Sequence, residues 1–104
     1  MPHILSLYSQ PGMDEEILPL ERAKEIFYKM KSYPDYRVYV ATHQGEVVGT
    51  FALLIMDNLA HMGTPSGVVE DVVVKEDLQG QGIGKQMMRF ALDLCCKKGC
   101  YKMA

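Results

Sequence analysis

A chain of 104 residues, 48% apolar and 23% charged, has the composition of one ordinary globular domain spanning residues 1–104. Its formal net charge of -2 offers no electrostatic case for nucleic acid or an anionic membrane surface, both of which favour a basic face. No stretch approaches about 18 uninterrupted apolar residues and no basic segment precedes an apolar run, so no membrane span is expected and the cytoplasm is the default location.

In chain order the pattern reads β-α-β-β-β-α-β, an α+β chain. A short strand is expected over His3 to Tyr8. Pro11, Gly12 and the acidic run Asp14 to Glu16 then open a helical segment. Ala23, Ile26, Phe27 and Met30 share one helical face, and the helix should stop before Tyr33-Pro34. Tyr36 to Thr42 and Glu46 to Met56 read as a hairpin turned at Gln44-Gly45. Asp57 to Gly67 reads as a loop, and Val68 to Val74 as a strand whose Val72-Val73-Val74 run suggests burial on both faces. Ile83 to Lys98 is an amphipathic helix with a stripe of Ile83, Met87, Phe90, Ala91, Leu94 and Cys95. Lys97 and Lys98 complement its dipole, and Gly99 suits the position just past its end. Cys100 to Ala104 begins a fifth strand. A strand this short would leave an edge to be covered, by another chain or by a longer domain of which this is a part.

Cys95, Cys96 and Cys100 crowd into six positions. An odd count with two neighbours makes a poor disulfide framework and suits a reducing compartment. His3, His43 and His61 show no ligand spacing to them, so they read as small packing residues and no metal is expected.

The informative segment runs from Val72 to Lys85, where a strand meets three alternate glycines, Gly80, Gly82 and Gly84, which open directly onto a helix. Glycine lets the backbone turn tightly and lets a ligand approach the amides. The first amides of a helix lack intrahelical partners and carry the positive end of its dipole, so the loop is suited to phosphate groups. A phosphate-binding Walker loop needs glycine at position 79 and Ser or Thr at 86, where this chain has Gln79 and Gln86. The dinucleotide fingerprint needs a third glycine where Lys85 stands. Both readings fail.

What remains, Gln79-x-x-Gly82-x-Gly84 after a strand, resembles the signature of the GNAT superfamily of acyl-CoA-dependent N-acetyltransferases. The resemblance implies acetyl-CoA as co-substrate, its pyrophosphate held at Gln79, Gly80, Gln81, Gly82, Ile83, Gly84 and Lys85. It also implies that Val72, Val73 and Val74 pair with the pantetheine arm, with Val73 N–H as main donor to the thioester carbonyl. The mechanism implied is direct attack by a primary amine in a ternary complex, with no cysteine nucleophile. Family domains continue through a further helix and strands, so the chain is expected to lack their C-terminal part and the general acid often found there; Tyr101 does not match that tyrosine.

Glu70 and Asp71 precede the valine run, and neighbours in a strand point to opposite faces, so one carboxylate is expected to face the acceptor. Glu70 is the candidate base and Asp71 the candidate amine-binding group; each could equally be an exposed charge. Val69 to Val74 with Gly99-Cys100-Tyr101-Lys102 is similar to glucosamine-6-phosphate N-acetyltransferases, and His61 falls near a histidine of their acceptor loop. The basic and aromatic neighbours of that histidine are replaced here by Asn58, Leu59 and Ala60. The expected partner is a small-molecule amine, and a homodimer agrees with the exposed edge and the family's habits. Two other readings stand beside the enzyme: an acyl-CoA-binding module without turnover, and a fragment active only with a partner chain.

Overall fold

The computed structural model describes residues 1–10 and 18–104. The elements are α1 (Pro2–Tyr8), α2 (Leu20–Met30), β1 (Tyr36–His43), β2 (Glu46–Met56), β3 (Ser66–Val74) and α3 (Ile83–Lys97). Single 3-10 turns at His61–Gly63 and Glu76–Leu78 flank β3.

The expected strand at His3 to Tyr8 is a helix instead. Pro2 occupies its first turn, where a missing N–H costs nothing and the fixed φ is already helical. Ile4, Leu5, Leu7 and Tyr8 satisfy a helical spacing as well as a strand's, an ambiguity that periodicity in so short a run does not resolve. Tertiary packing decides it, with Leu5 and Leu7 buried as α1 lies on β2 and β3. The helical opening proposed at Pro11 to Glu16 falls outside the described residues. From Leu20 onward α2 is helical as expected and ends at Met30, short of Tyr33-Pro34.

β1 and β2 form the expected antiparallel hairpin, with Gln44 and Gly45 both at positive φ in the turn. β3 pairs antiparallel with the other edge of β2, giving the order β1-β2-β3. Residues 102–104 then run parallel to the start of β3. Gly67 N–H donates to Lys102 C=O at 2.9 Å, Ala104 N–H to Gly67 C=O at 2.9 Å, and Val69 N–H to Ala104 C=O at 2.8 Å. Of the strand expected over Cys100 to Ala104, the described residues thus form one parallel bridge, Gly67 to Met103, beside a three-stranded antiparallel sheet.

Alternation along the strands builds two layers. Phe51 and Leu53 point to the α3 face, where with Met87, Ala91 and Cys95 they form the buried core. Burial of each large apolar side chain there contributes about 1.5–3 kcal/mol. Gly49 and Gly67 let α3 approach: a Cβ on Gly49 would sit 2.9 Å from Met87 Sδ, and one on Gly67 would collide with Cys95 Sγ. Val38 and Ala52 point the other way and share a cavity wall with α1 and α2. Phe90 lies at the edge of the α3 stripe, 50% exposed, with its ring edge-on to Tyr39 at 5.6 Å. Of the three cysteines, all free, Cys95 is core and Cys100 packs against it, whereas Cys96 is exposed.

Candidate functional site

The last residues of β3 run through the Glu76–Leu78 turn into the glycine loop and then into α3. Gly80 and Gly82 adopt left-handed φ values of +84° and +87°, which reverse the chain within three residues. A Cβ on either would meet nothing within 4 Å, so both open onto free space. Gly82 caps α3, and the first bond back to it comes from Gln86 N–H at 3.0 Å. The amides of Ile83, Gly84 and Lys85 precede that bond and have no helical carbonyl to meet. Val74, Leu78, Gln79, Gly80, Gly82, Ile83, Gly84 and Lys85 enclose a groove of about 370 Å³. The structure thus brings most of the sequence-selected cofactor residues together. Gln81 is exposed and lies outside that lining, and exposed Val72 and buried Val73 lie outside it too.

Gln79 is exposed, and its Nε2 donates to Val74 C=O at 3.1 Å, closing the turn. Gln10 does the same from the opposite direction, with Nε2 donating to Val74 C=O at 3.0 Å and Oε1 accepting from Glu76 N–H at 2.7 Å. Sequence reasoning missed Gln10 because no local pattern links it to a strand 64 positions away. Lys75, beside the groove, is paired with Glu46. That hydrogen bond holds the Glu46 carboxyl below its usual range and the Lys75 ammonium above its own.

Upstream, the register of β2 against β3 skips. Ala52 faces Glu70 but Thr50 faces Val73, so Phe51 stands opposite two residues, Asp71 and Val72. This is a β-bulge, and Asp71 takes a left-handed φ of +55° within it. The bulge overturns two expectations based on simple alternation. Val72 is turned outward and 43% exposed while Val73 is buried, so the valine run is not covered on both faces. Glu70 and Asp71 also share a side: Glu70 lies across from Ala52, and Asp71 lines the same cavity as Ala52. Both act on Tyr36, whose phenol pKa is raised first by burial, then by the Asp71 charge, then by Glu70. Tyr36 stacks on Tyr33 with ring centroids 5.9 Å apart.

His61 sits elsewhere. It is exposed in the β2–β3 loop, which Asn58 braces by donating to Thr64 C=O at 2.8 Å. Its ring lies 4.3 Å from that of Tyr101, and it lines neither the glycine-loop groove nor the Asp71 cavity. Among the described residues, no helix is long and apolar enough to cross a membrane.

Residues 3–104 match the model of the acetyltransferase (GNAT) family. The chain belongs to that family. A provisionally assigned acetyltransferase from Agrobacterium tumefaciens superposes with a TM-score of 0.90 at 32% identity, over 99% of this chain and 72% of that one. The crystal structure of glucosamine-6-phosphate N-acetyltransferase from Arabidopsis thaliana gives a TM-score of 0.83 at 26% identity, over 96% and 69%. By sequence, the GNAT chain is 30% identical to glucosamine 6-phosphate N-acetyltransferase of Arabidopsis thaliana over 80 residues, 74% of this chain and 54% of that protein. It is 33% identical to the Trypanosoma brucei brucei enzyme of the same name over 67 residues, 64% of this chain and 46% of that protein. The chain therefore spans about half the length of these two curated relatives.

Proposed function

We propose that this GNAT chain binds acetyl-CoA and transfers the acetyl group to a primary amine of a small molecule. The observation that carries the reading is the groove at the start of α3, framed by left-handed Gly80 and Gly82 and lying next to the end of β3. The free amides of Ile83, Gly84 and Lys85 hold the pyrophosphate there. Open space at both glycines fits a diphosphate lying against the backbone.

Family membership and the bulge suggest the chemistry. Glu70 accepts a proton from the acceptor's ammonium, directly or through water, which frees the nitrogen lone pair. Val73 N–H polarises the thioester carbonyl as the nitrogen adds to it. Collapse breaks the carbon–sulfur bond, releasing coenzyme A as a thiolate that takes up a proton, and the N-acetyl product. Asp71, on the same side as Glu70, holds the ammonium before transfer. Glucosamine 6-phosphate is the acceptor named for two of the relatives.

Calorimetric titration with acetyl-CoA, followed by a thiol-release assay over a panel of amines, tests this. Saturable binding and release of coenzyme A with one class of amine are expected. Binding without release on any amine favours an acyl-CoA-binding module, and absence of binding overturns the proposal. Glu70→Gln should lower kcat about 10²–10⁴-fold with little change in acetyl-CoA affinity, the usual range for losing a general base. A normal pH–rate profile in that variant removes Glu70 from the role.

A further inference from the structure

Asp71 lines a cavity of about 290 Å³ between α1, α2 and the sheet, on the face opposite α3. The volume is close to the lower end of the roughly 300–1,000 Å³ typical of small-molecule sites. Its walls are mainly apolar, with Ile4 and Leu5 from α1, Ile26, Phe27 and Met30 from α2, and Val38 from β1. Among the described residues that line it, Asp71 is the one acidic or basic side chain besides the phenols of Tyr8 and Tyr36, and Met1, which carries the chain's α-amino group, lines it as well. Lys31 and Arg37 line the adjoining groove, across the shared walls of Phe27 and Tyr36.

This lining favours an ammonium on an apolar body. A phosphate dianion entering the cavity would lose its hydration against mainly apolar walls and beside a carboxylate, an unfavourable exchange. An ammonium gains the Asp71 carboxylate, with the Glu70 charge on the same side. The carbon body attached to it gains burial against Ile26, Phe27 and Val38. The bulge is what brings these together: without the extra residue, alternation would turn Asp71 to the α3 face.

We propose that the acceptor is a primary amine carried on an apolar, preferably aromatic, body. Its ammonium binds at Asp71 and its body fills the cavity between α1, α2 and β1. The inference rests on the acyl-transfer reading for the fate of the amine, but the cavity's preference stands as a binding property of its own.

Two measurements test it on the full chain. In the first, phenethylamine and glucosamine 6-phosphate are titrated separately into the protein without acetyl-CoA, following the side-chain methyl resonances of Ile26 and Val38. Phenethylamine should shift both at saturable concentrations, and Asp71→Asn should weaken its binding about tenfold, the loss expected for a charge-assisted contact. Silence of both methyls, or shifts produced by the sugar phosphate alone, overturns the proposal. In the second, thiol release is compared between the two amines with acetyl-CoA present. Phenethylamine should have the higher kcat/KM, and Val38→Phe, which fills the cavity, should raise its KM while leaving acetyl-CoA affinity unchanged. Preference for glucosamine 6-phosphate overturns the proposal and leaves acyl transfer intact. Methyl shifts without acetyl-CoA binding support the cavity assignment and remove acyl transfer.

Discussion

Gly82→Val and Gly45→Val form a matched pair that isolates the role of the glycine loop. Both native glycines are left-handed, with φ of +87° and +79°, and a Cβ on either meets nothing within 4 Å. The backbone penalty for an L-residue held in that region is about 1–2 kcal/mol at each site. For a domain of this size that corresponds to a fall in Tm of roughly 4–16 °C in both variants. The two positions differ in place: Gly82 lines the groove and caps α3, whereas Gly45 lies in the β1–β2 turn. Valine methyls at position 82 would stand in front of the amides of the first helical turn. Losing two charge-assisted hydrogen bonds, at about 1.5–3 kcal/mol each, weakens coenzyme A binding by roughly 10²–10⁴. Calorimetric titration below the melting temperature of each variant reads this directly, and Gly45→Val should bind as the wild type does. Equal affinity in the two variants would refute the assignment of the loop as the anion site.

Three further tests address the surrounding structure. Gly67→Ala places a Cβ against Cys95 Sγ, and overpacking of this kind costs about 1–3 kcal/mol in thermal unfolding. Adding Cys95→Ala should recover much of that loss, and independent, additive effects would contradict the close approach of α3 to β3. Asp71→Asn removes one of the charges that raise the Tyr36 phenol, so its spectrophotometric titration should move down toward the ordinary 10.0. Because the folded-state value is raised, stability is kept below about pH 10 and lost as pH climbs through that folded value, so the variant should also lose less stability in alkali. An unchanged Tyr36 titration would contradict their proximity. Burial, with Cys100 adding to it, pushes the Cys95 thiol up to about 11, so alkylation at pH 8 should label exposed Cys96 and spare Cys95. Labelling of Cys95 at the rate of Cys96 in the folded protein would contradict its place in the core.

The hairpin, α3 and the glycine loop were legible in the sequence because each rests on short-range physics. Gln44-Gly45 sets its own turn, the stripe through Met87, Ala91 and Cys95 carries the helical period, and alternate glycines before a helix define an anion-ready backbone. The glycine loop also carried the family resemblance that the match over residues 3–104 bears out. The first element was misread because His3 to Tyr8 is short enough to satisfy two periods, and only the surface offered by β2 and β3 chose between them. Gln10 was invisible for a related reason, since its two hydrogen bonds join residues far apart in the chain.

The order of Glu70, Asp71 and the three valines is written in the chain, and it names the groups able to act on an amine. Their direction is not written there. One unpaired residue in β3 rotates Asp71 and Val72 out of alternation, putting both carboxylates on the α1–α2 side and Val72 toward solvent. Pattern along a strand reports which side chains alternate, but only pairing with β2 reports where the alternation slips, because a bulge is a property of two strands and is encoded in neither alone.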